Sequence, residues 1–373
     1  MTTGYQQPKT LIRPNELLWD NLQGIIDNQM GSAAEWHAFL DEFRGFGGKA
    51  ENVMQRKGAF GLGLFPIDSS KPIELFVPDE LLVKFDNVEL QDGEVVIKDD
   101  SNFPVGYAEW FRKYQSCYSW GGEGRSNTLD LEEGLKALPD TAQVLLRRHG
   151  LYNSENRFPE KDREQELLQR FLQTRCINRK GQRVIMPMIE LLNHSPSSDA
   201  YDMSGNGIKV SGVRDGEILV KYSISDPIRR LMAYGFNAAE PLGFSLSFQL
   251  THQDKTIIIR GGGAKEAMKP CEIQITENRL IFQQPLLGSS TSPKMPRTLF
   301  IKACRTIDGI DANELFDQLH QRNTQILVQL LKILQDVEGN IAGLIRSGCL
   351  NQLAALSHHV GQRDDLLSQD NSK

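Results

Sequence analysis

The sequence predicts an α+β fold on three observations. Apolar residues recur at helical spacing near both ends and in the middle of the chain. Between those stretches lie clusters of short apolar segments broken by Gly, Asp, Asn and Ser, the pattern of short strands. The chain has 373 residues, of which 39% are hydrophobic and 24% charged, enough to bury a large core in two or three domains.

Residues 15–46 read as helical, with Leu17, Leu18, Leu22, Ile25 and Ile26, then Trp36, Phe39, Leu40 and Phe43, at helix spacing. The glycines of "GFGGK" (45–49) end that pattern. Residues 53–82 change to strand texture, with Asp68, Ser69 and Ser70 as the expected hairpin turn. Residues 86–103 are read as a hairpin through Asp92 and Gly93 or an irregular excursion. Helices are expected at 106–117, 129–149 and 162–177, the last carrying Leu167, Leu168, Phe171 and Leu172 on one face. Strands at 183–189, 207–213 and 217–224 precede a short helix at 226–235. Further strands are expected at 244–250, 255–261, 271–276 and 279–284, then a Ser/Pro-rich linker at 288–297. Two helices follow, at 311–337 and 339–358, and the tail after Gly361 is polar.

Composition excludes several classes. A net charge of −6 argues against a non-specific nucleic-acid binder. No window holds the ~18 uninterrupted apolar residues of a membrane span, and the first twenty residues lack the apolar core of a secretory signal. The five cysteines (117, 176, 271, 304 and 349) are far apart and odd in number, which fits a reducing cytoplasm. The 7 histidines form no ligand-spaced cluster, so no metal is expected. "RGGGAKE" (260–266) lacks phosphate-loop spacing and reads as a turn, and "GLGL" (61–64) lacks the third glycine of a dinucleotide loop. His358 and His359 read as solvent-facing.

Three segments remain. "GLGLF" (61–65) is a strand whose two glycines permit close approach to its backbone. "MPMIELLNHSP" (186–196) is an apolar run that ends abruptly in polar groups, and "LVKYSISDPIRRLMAYGF" (219–236) is a strand followed by a helix. Taken singly, they read as a packing strand, a capped turn and a buried tyrosine.

In this order they resemble the SET-domain methyltransferases, within them the group typified by the plant Rubisco large-subunit lysine methyltransferase. The resemblance covers roughly residues 35–250 and includes "ELFVPDELLV" and the helix end "QTRCI". It implies a core of small β-sheets with a knot-like threading, built from residues 51–85 and 176–250. It also implies a mostly helical insertion at 86–175, after a helical segment at 1–50. A β-then-α module over 251–373 would dock substrate, although its strand-rich start departs from the group's all-helical domain. The implied cofactor is S-adenosylmethionine and the implied partner a protein substrate, with oligomeric state left open.

What the resemblance implies for single residues agrees with their chemistry. Gly61 and Gly63 would let the main chain approach a cofactor, with Leu62 and Leu64 packing beneath. Asn193 both donates and accepts, which suits an amino-acid end, and His194 would contribute mainly its backbone to adenine. Arg175 would pair with a carboxylate; a surface charge is the alternative. Phe236 completes the cofactor set, and Phe244 or Phe248 would stack on adenine or simply belong to the core. Tyr234 matches the family's catalytic tyrosine, with Tyr222 lining the channel. A free lysine has a pKa of about 10.4, so supplying its neutral amine at pH 7 costs roughly 4–5 kcal/mol, which a desolvated channel beside a cation reduces. Glu190 stands where the family has Asp. The expected activity is methyl transfer to a protein lysine, or to histidine, which one member of the group methylates on actin. A SET-fold binding module without catalysis is the competing reading, and methylation of a non-protein amine a third.

Overall fold

The structure is a computed structural model that describes residues 33–152, 163–263 and 269–357. The apolar positions expected between 15 and 32, the last residues of "RGGGAKE", His358, His359 and the tail after Gly361 lie outside the described residues. The first described helix, α1 (Ala33–Gly45), buries Trp36, Phe39, Leu40 and Phe43, the stripe its spacing predicts. It is followed by β1 (Lys49–Glu51), β2 (Val53–Gly58), β3 (Gly61–Pro66), β4 (Pro72–Pro78) and β5 (Val83–Lys84). Next come the hairpin strands β6 (Val88–Gln91) and β7 (Glu94–Ile97), then α2 (Tyr107–Tyr118), α3 (Arg125–Lys136), α4 (Asp140–Arg148) and α5 (Arg163–Arg175). Strands β8 (Cys176–Arg179), β9 (Gln182–Ile185), β10 (Asn193–His194), β11 (Gly207–Val213) and β12 (Leu219–Val220) lead to helix α6 (Pro227–Tyr234). The rest is β13 (Leu242–Phe244), β14 (Phe248–His252), β15 (Lys255–Arg260), β16 (Ile273–Thr276), β17 (Arg279–Gln283) and β18 (Leu286–Ser289), then α7 (Met295–Cys304), α8 (Ala312–Leu334) and α9 (Asn340–Ser357).

The architecture is the mixed α+β arrangement of small sheets and helices that the sequence predicts. Among the described residues the sheets hold two to four strands each. β4 is the centre of one, antiparallel to β1 on one side and β11 on the other, with Ile73, Leu75 and Val77 buried at period two. β2 and β3 form a hairpin that turns at Ala59 and Phe60. This corrects the expected hairpin at residues 68–70. Asp68 does close a turn, its Oδ1 accepting the Ser70 backbone N–H at 3.0 Å, but that turn carries the chain from β3 to a different sheet. β6 and β7 do turn at Asp92 (φ 52°) and Gly93 (φ 84°), the left-handed pair that a tight hairpin needs.

The single helix expected at 129–149 is two, because Pro139 ends the first and begins α4. The strand expected at 217–224 is only β12, which pairs parallel to β10. Nor is 288–297 a linker throughout. Gly288 and Ser289 belong to β18, with Ser289 buried, and residues 295–297 open α7. In the C-terminal part the sheet β14-β15-β17-β16 does precede the helices, as the strand-rich reading of 255–284 requires.

Two apolar clusters form the core. One runs from Trp36 to Val220 through α1, α2, α5 and the first sheets. The other joins α4, α6, the four-stranded sheet and helices α7, α8 and α9. Helix α3 touches both, Leu129 packing on the first and Leu131 and Leu135 lying in the second. α1 is held by aromatic stacking: the Phe39 ring lies 4.9 Å from Trp110 and 6.0 Å from Tyr114, nearly parallel to both. Phe39→Ala is therefore expected to lower unfolding stability by about 3–5 kcal/mol in denaturant titration, the range for emptying a large buried aromatic site.

Candidate active site

A cavity of about 400 Å³ opens where the ends of β3, α5, β10 and α6 converge. Gly61, Leu62, Arg175, Asn193, Tyr222, Tyr234 and Phe236 line it. Sequence positions more than 170 residues apart thus meet around one space. Gly63 and His194 lie just behind the wall. Leu64 packs in the core as expected, whereas Leu62 is half-exposed on the cavity wall rather than beneath it. Phe244 and Phe248 do not line this cavity; Phe244 is buried elsewhere, and Phe248 packs against the second core cluster.

The order of residues 188–195 explains the polar end of that apolar run. Ile189, Leu191 and Leu192 are buried, and a short 3-10 turn (Ile189–Leu191) brings the chain to β10. There Asn193 donates one amide hydrogen to the Leu62 carbonyl at 3.1 Å and the other to Glu217 Oε1 at 2.6 Å. Its own Oδ1 takes part in neither bond, and the residue lines the cavity. Gly63 is required beneath this contact, because a Cβ there would sit 2.4 Å from Glu217 Oε1 and 2.8 Å from Asn193 Nδ2. Glu217 is half-buried, and burial raises its carboxyl pKa while the Asn193 bond opposes that.

His194 is wholly a structural ring. Its Nδ1 accepts the Tyr222 backbone N–H at 3.2 Å, so Nε2 carries hydrogen and donates to Glu240 Oε1 at 2.8 Å. The same Glu240 oxygen accepts from Arg230 Nε at 2.7 Å. Burial alone would raise the Glu240 carboxyl pKa, but His194 and Arg230 hold it below the ordinary value. Tyr222 donates its hydroxyl to the Leu192 carbonyl at 2.5 Å. The Tyr222 and Tyr234 rings lie 5.2 Å apart, and Phe236 is 5.9 Å from Tyr234. Burial pushes the Tyr234 hydroxyl pKa up, with Arg230 and Arg175 pulling the other way.

Arg175 donates Nη1 to the Glu190 carbonyl at 2.7 Å, so its guanidinium is partly engaged within the protein. Its Nε is buried without a hydrogen-bond partner. The Glu190 carboxylate does not line the cavity and accepts from Gln115 Nε2 at 2.9 Å and Ser119 Oγ at 3.1 Å. Glu123, in the π-helical turn Trp120–Gly124, meets the same end of β3 as Asn193. It accepts the Leu62 backbone N–H at 3.3 Å and pairs with Lys57 at 2.9 Å.

Sequence reasoning missed Glu123, Glu217, Arg230 and Glu240. Nothing in "RDGEIL" or "NAAEPL" separates a site carboxylate from a solvated one. "IRRL" carried a usable signal, since one of two adjacent arginines on a short amphipathic helix must face inward.

No protein-family model matches the sequence, and no curated protein is significantly similar to it. Among solved structures, the chain is similar to Rubisco LSMT bound to AdoMet, at 12% identity and a TM-score of 0.39, covering 90% of this chain and 91% of that one. It is similar to Rubisco LSMT bound to sinefungin and monomethyllysine at 13% identity and a TM-score of 0.38, covering 89% and 92%. The SET domain of LSMT bound to lysine and AdoHcy gives 12% and 0.36 over 90% and 91%. Among the described residues no group of three or more His, Cys, Asp or Glu could hold a metal ion, and no helix is long and apolar enough to cross a membrane.

Two predictions follow from this geometry. Gly63→Ala is expected to cost about 1–3 kcal/mol by overpacking. Combined with Glu217→Ala it should cost less than the sum of the single changes, a coupling measurable in a double-mutant denaturation cycle. The second concerns Glu190, whose carboxyl pKa is raised by burial, with Arg175 and its hydrogen bonds opposing. The folded chain then keeps this proton after the unfolded chain, at about 4.3, has released it. Its effect on stability therefore turns unfavourable as pH rises from about 4.3 through the raised range. Glu190→Gln should gain stability relative to wild type as pH rises above about 4.3; a difference that does not change with pH would contradict the assignment.

Proposed function

We propose that the chain is an S-adenosylmethionine-dependent protein N-methyltransferase that modifies a lysine side chain, with histidine the alternative acceptor. The observation that carries this is the gathering of Gly61, Leu62, Arg175, Asn193, Tyr222, Tyr234 and Phe236 around one cavity. Residues 51–85 and 176–250 would form its core, 86–175 an insertion, and 251–373 the part that docks substrate.

The residues fit the cofactor on two observations. Arg175 brings an unpartnered, buried Nε–H to the cavity wall, suited to a carboxylate. Asn193 has spent both amide hydrogens within the protein, which leaves Oδ1 to meet an ammonium. When bound, the cofactor supplies an electrophilic methyl group on a sulfonium. The protein's part is alignment and desolvation. Tyr222 is tied to the Leu192 carbonyl, so its ring is a fixed wall of the acceptor channel. The Tyr234 hydroxyl, kept protonated at neutral pH by burial, orients the acceptor nitrogen rather than taking its proton. The desolvated channel beside a cation would favour the neutral amine, its proton released to solvent, and would hold the nitrogen lone pair in line with the methyl group, so that the N–C bond would form as the C–S bond breaks and a neutral thioether leaves.

Calorimetric titration with S-adenosylmethionine tests the reading. Binding is expected, and Asn193→Ala should weaken it about 10-fold or more, the loss of a hydrogen bond to a charged group. Tyr234→Phe should lower labelled methyl transfer to a lysine-peptide library about 100-fold, with cofactor affinity nearly unchanged. Absence of heat with the wild-type protein would remove the enzyme reading and leave the non-catalytic binding module.

A further inference from the structure

Beside the tyrosine pair stands an arginine that the methyl-transfer reading does not use. Arg230 is on the inner face of α6 and is 1% exposed. Three of its nitrogens are held: Nε by Glu240 at 2.7 Å, Nη2 by the Ser223 carbonyl at 2.7 Å and Nη1 by Ser223 Oγ at 3.3 Å. The clamp cannot rotate, since Glu240 is itself fixed by the His194 ring. The guanidinium carbon lies 5.1 Å from the centre of the Tyr234 ring and 5.9 Å from that of Tyr222. A guanidinium clamped on three nitrogens adds little to stability that an apolar side chain would not, but it puts a permanent charge at one place.

We propose that Arg230 is a positioning residue: clamped by Glu240 and Ser223, it is the fixed positive charge that orients the Tyr234 and Tyr222 rings and makes this end of the cavity select an uncharged amine. The selection of amine rests on the methyltransferase reading; the effect on the tyrosines does not. The other charged and titratable groups around it are accounted for. Glu240 and His194 face its Nε edge. Asp226 is engaged by Arg229, through both side chain and backbone. Tyr201, partly buried, lies near the same tyrosines, Arg175 adds a second positive charge to them, and Glu217 acts on Tyr222 with the opposite sign. Glu240 is therefore the one anion bonded to Arg230 among the described residues. The Arg230–Glu240 pair presents its positive end to the tyrosines.

The test changes the two ends of that pair separately. Carbon-13 labelling of tyrosine, with Tyr234→Phe assigning the signal, gives the Tyr234 titration midpoint in the protein without ligand. Arg230→Met should move it up by about one pH unit, and Glu240→Gln, which keeps the acceptor for His194, should move it down. Arg230→Lys should restore most of the wild-type value. The acid limb of kcat for peptide methylation should shift in the same directions, because the same charge acts on the acceptor amine. A Tyr234 midpoint that is unmoved in Glu240→Gln, or that moves the same way in both variants, overturns the proposal. So does a kcat limb that stays put while the tyrosine signal shifts, as far as selection of amine is concerned. Failure of the wild type to bind S-adenosylmethionine would instead strike the methyltransferase reading, and the tyrosine titration would still decide the role of Arg230.

Discussion

The two hydrogen bonds of the Asn193 amide hold together most of what is distinctive in this structure. One reaches Leu62, 131 residues earlier, and the other Glu217, 24 residues later. The second is to a carboxylate and so is the stronger kind. Around them the Ile218 N–H bonds to the Leu64 carbonyl at 2.8 Å and the Ser195 N–H to the Val220 carbonyl at 3.0 Å. Three segments with no local reason to associate are fastened at one point, and β3 acquires a second neighbour beyond its hairpin partner. The cavity wall at Gly61 and Leu62 is in place because of this fastening.

Burying polar groups to build that wall creates a charge problem, and the chain solves it three ways. Glu240 is matched by Arg230 and by the His194 ring. Asp226 caps α6, accepting the Arg229 N–H at 2.9 Å. Glu190 receives neutral donors from Gln115 and Ser119, and its pKa rises with burial. Only the first remedy leaves a cation facing the tyrosines. The Arg230 charge thus lies beside the tyrosines, while Glu123 and Glu217 are bonded at Leu62 and Asn193, Glu123 being paired there with Lys57.

Much of this was legible in the residues. The stripes of α1 and α5, the β6–β7 hairpin and the Asp226-Pro227 start of α6 each depend on local rules, so local reading recovers them. So did the meeting of "GLGLF", "NHS" and "AYGF", because motif order reports on a long-range fold. Pairing partners were not legible. The turn chemistry of Asp68 marks a reversal correctly but says nothing about where β4 goes, and β4 finds its partners in β1 and in β11, more than 100 residues away. Polar composition made residues 288–297 look exposed. Gly288 is instead an approach point for α9, where a Cβ would fall 2.2 Å from the Ala355 carbonyl oxygen. Carboxylates were the least legible of all, since burial, not identity, separates Glu217 and Glu240 from the exposed acids.

That approach of α9 bears on how the site is closed. Asn340, Ile341 and Leu344 from α9 share the cavity lining with Asn127, Thr128 and Leu131 from α3. Asn237, just past Tyr234, donates Nδ2 to the Leu344 carbonyl at 3.0 Å, and Leu231 of α6 lies against Gly348 of α9. The helix that carries Tyr234 and Arg230 is therefore held between the tyrosine–arginine cluster on one side and α9 on the other. α9 belongs to the wall of the cavity and is not an appended layer. A displacement of α9 would have to be absorbed by α6, because neither contact contains a flexible spacer and both sites are close-packed. The geometry of the tyrosine pair is thus set jointly by the buried Arg230–Glu240 clamp and by the seating of the last described helix.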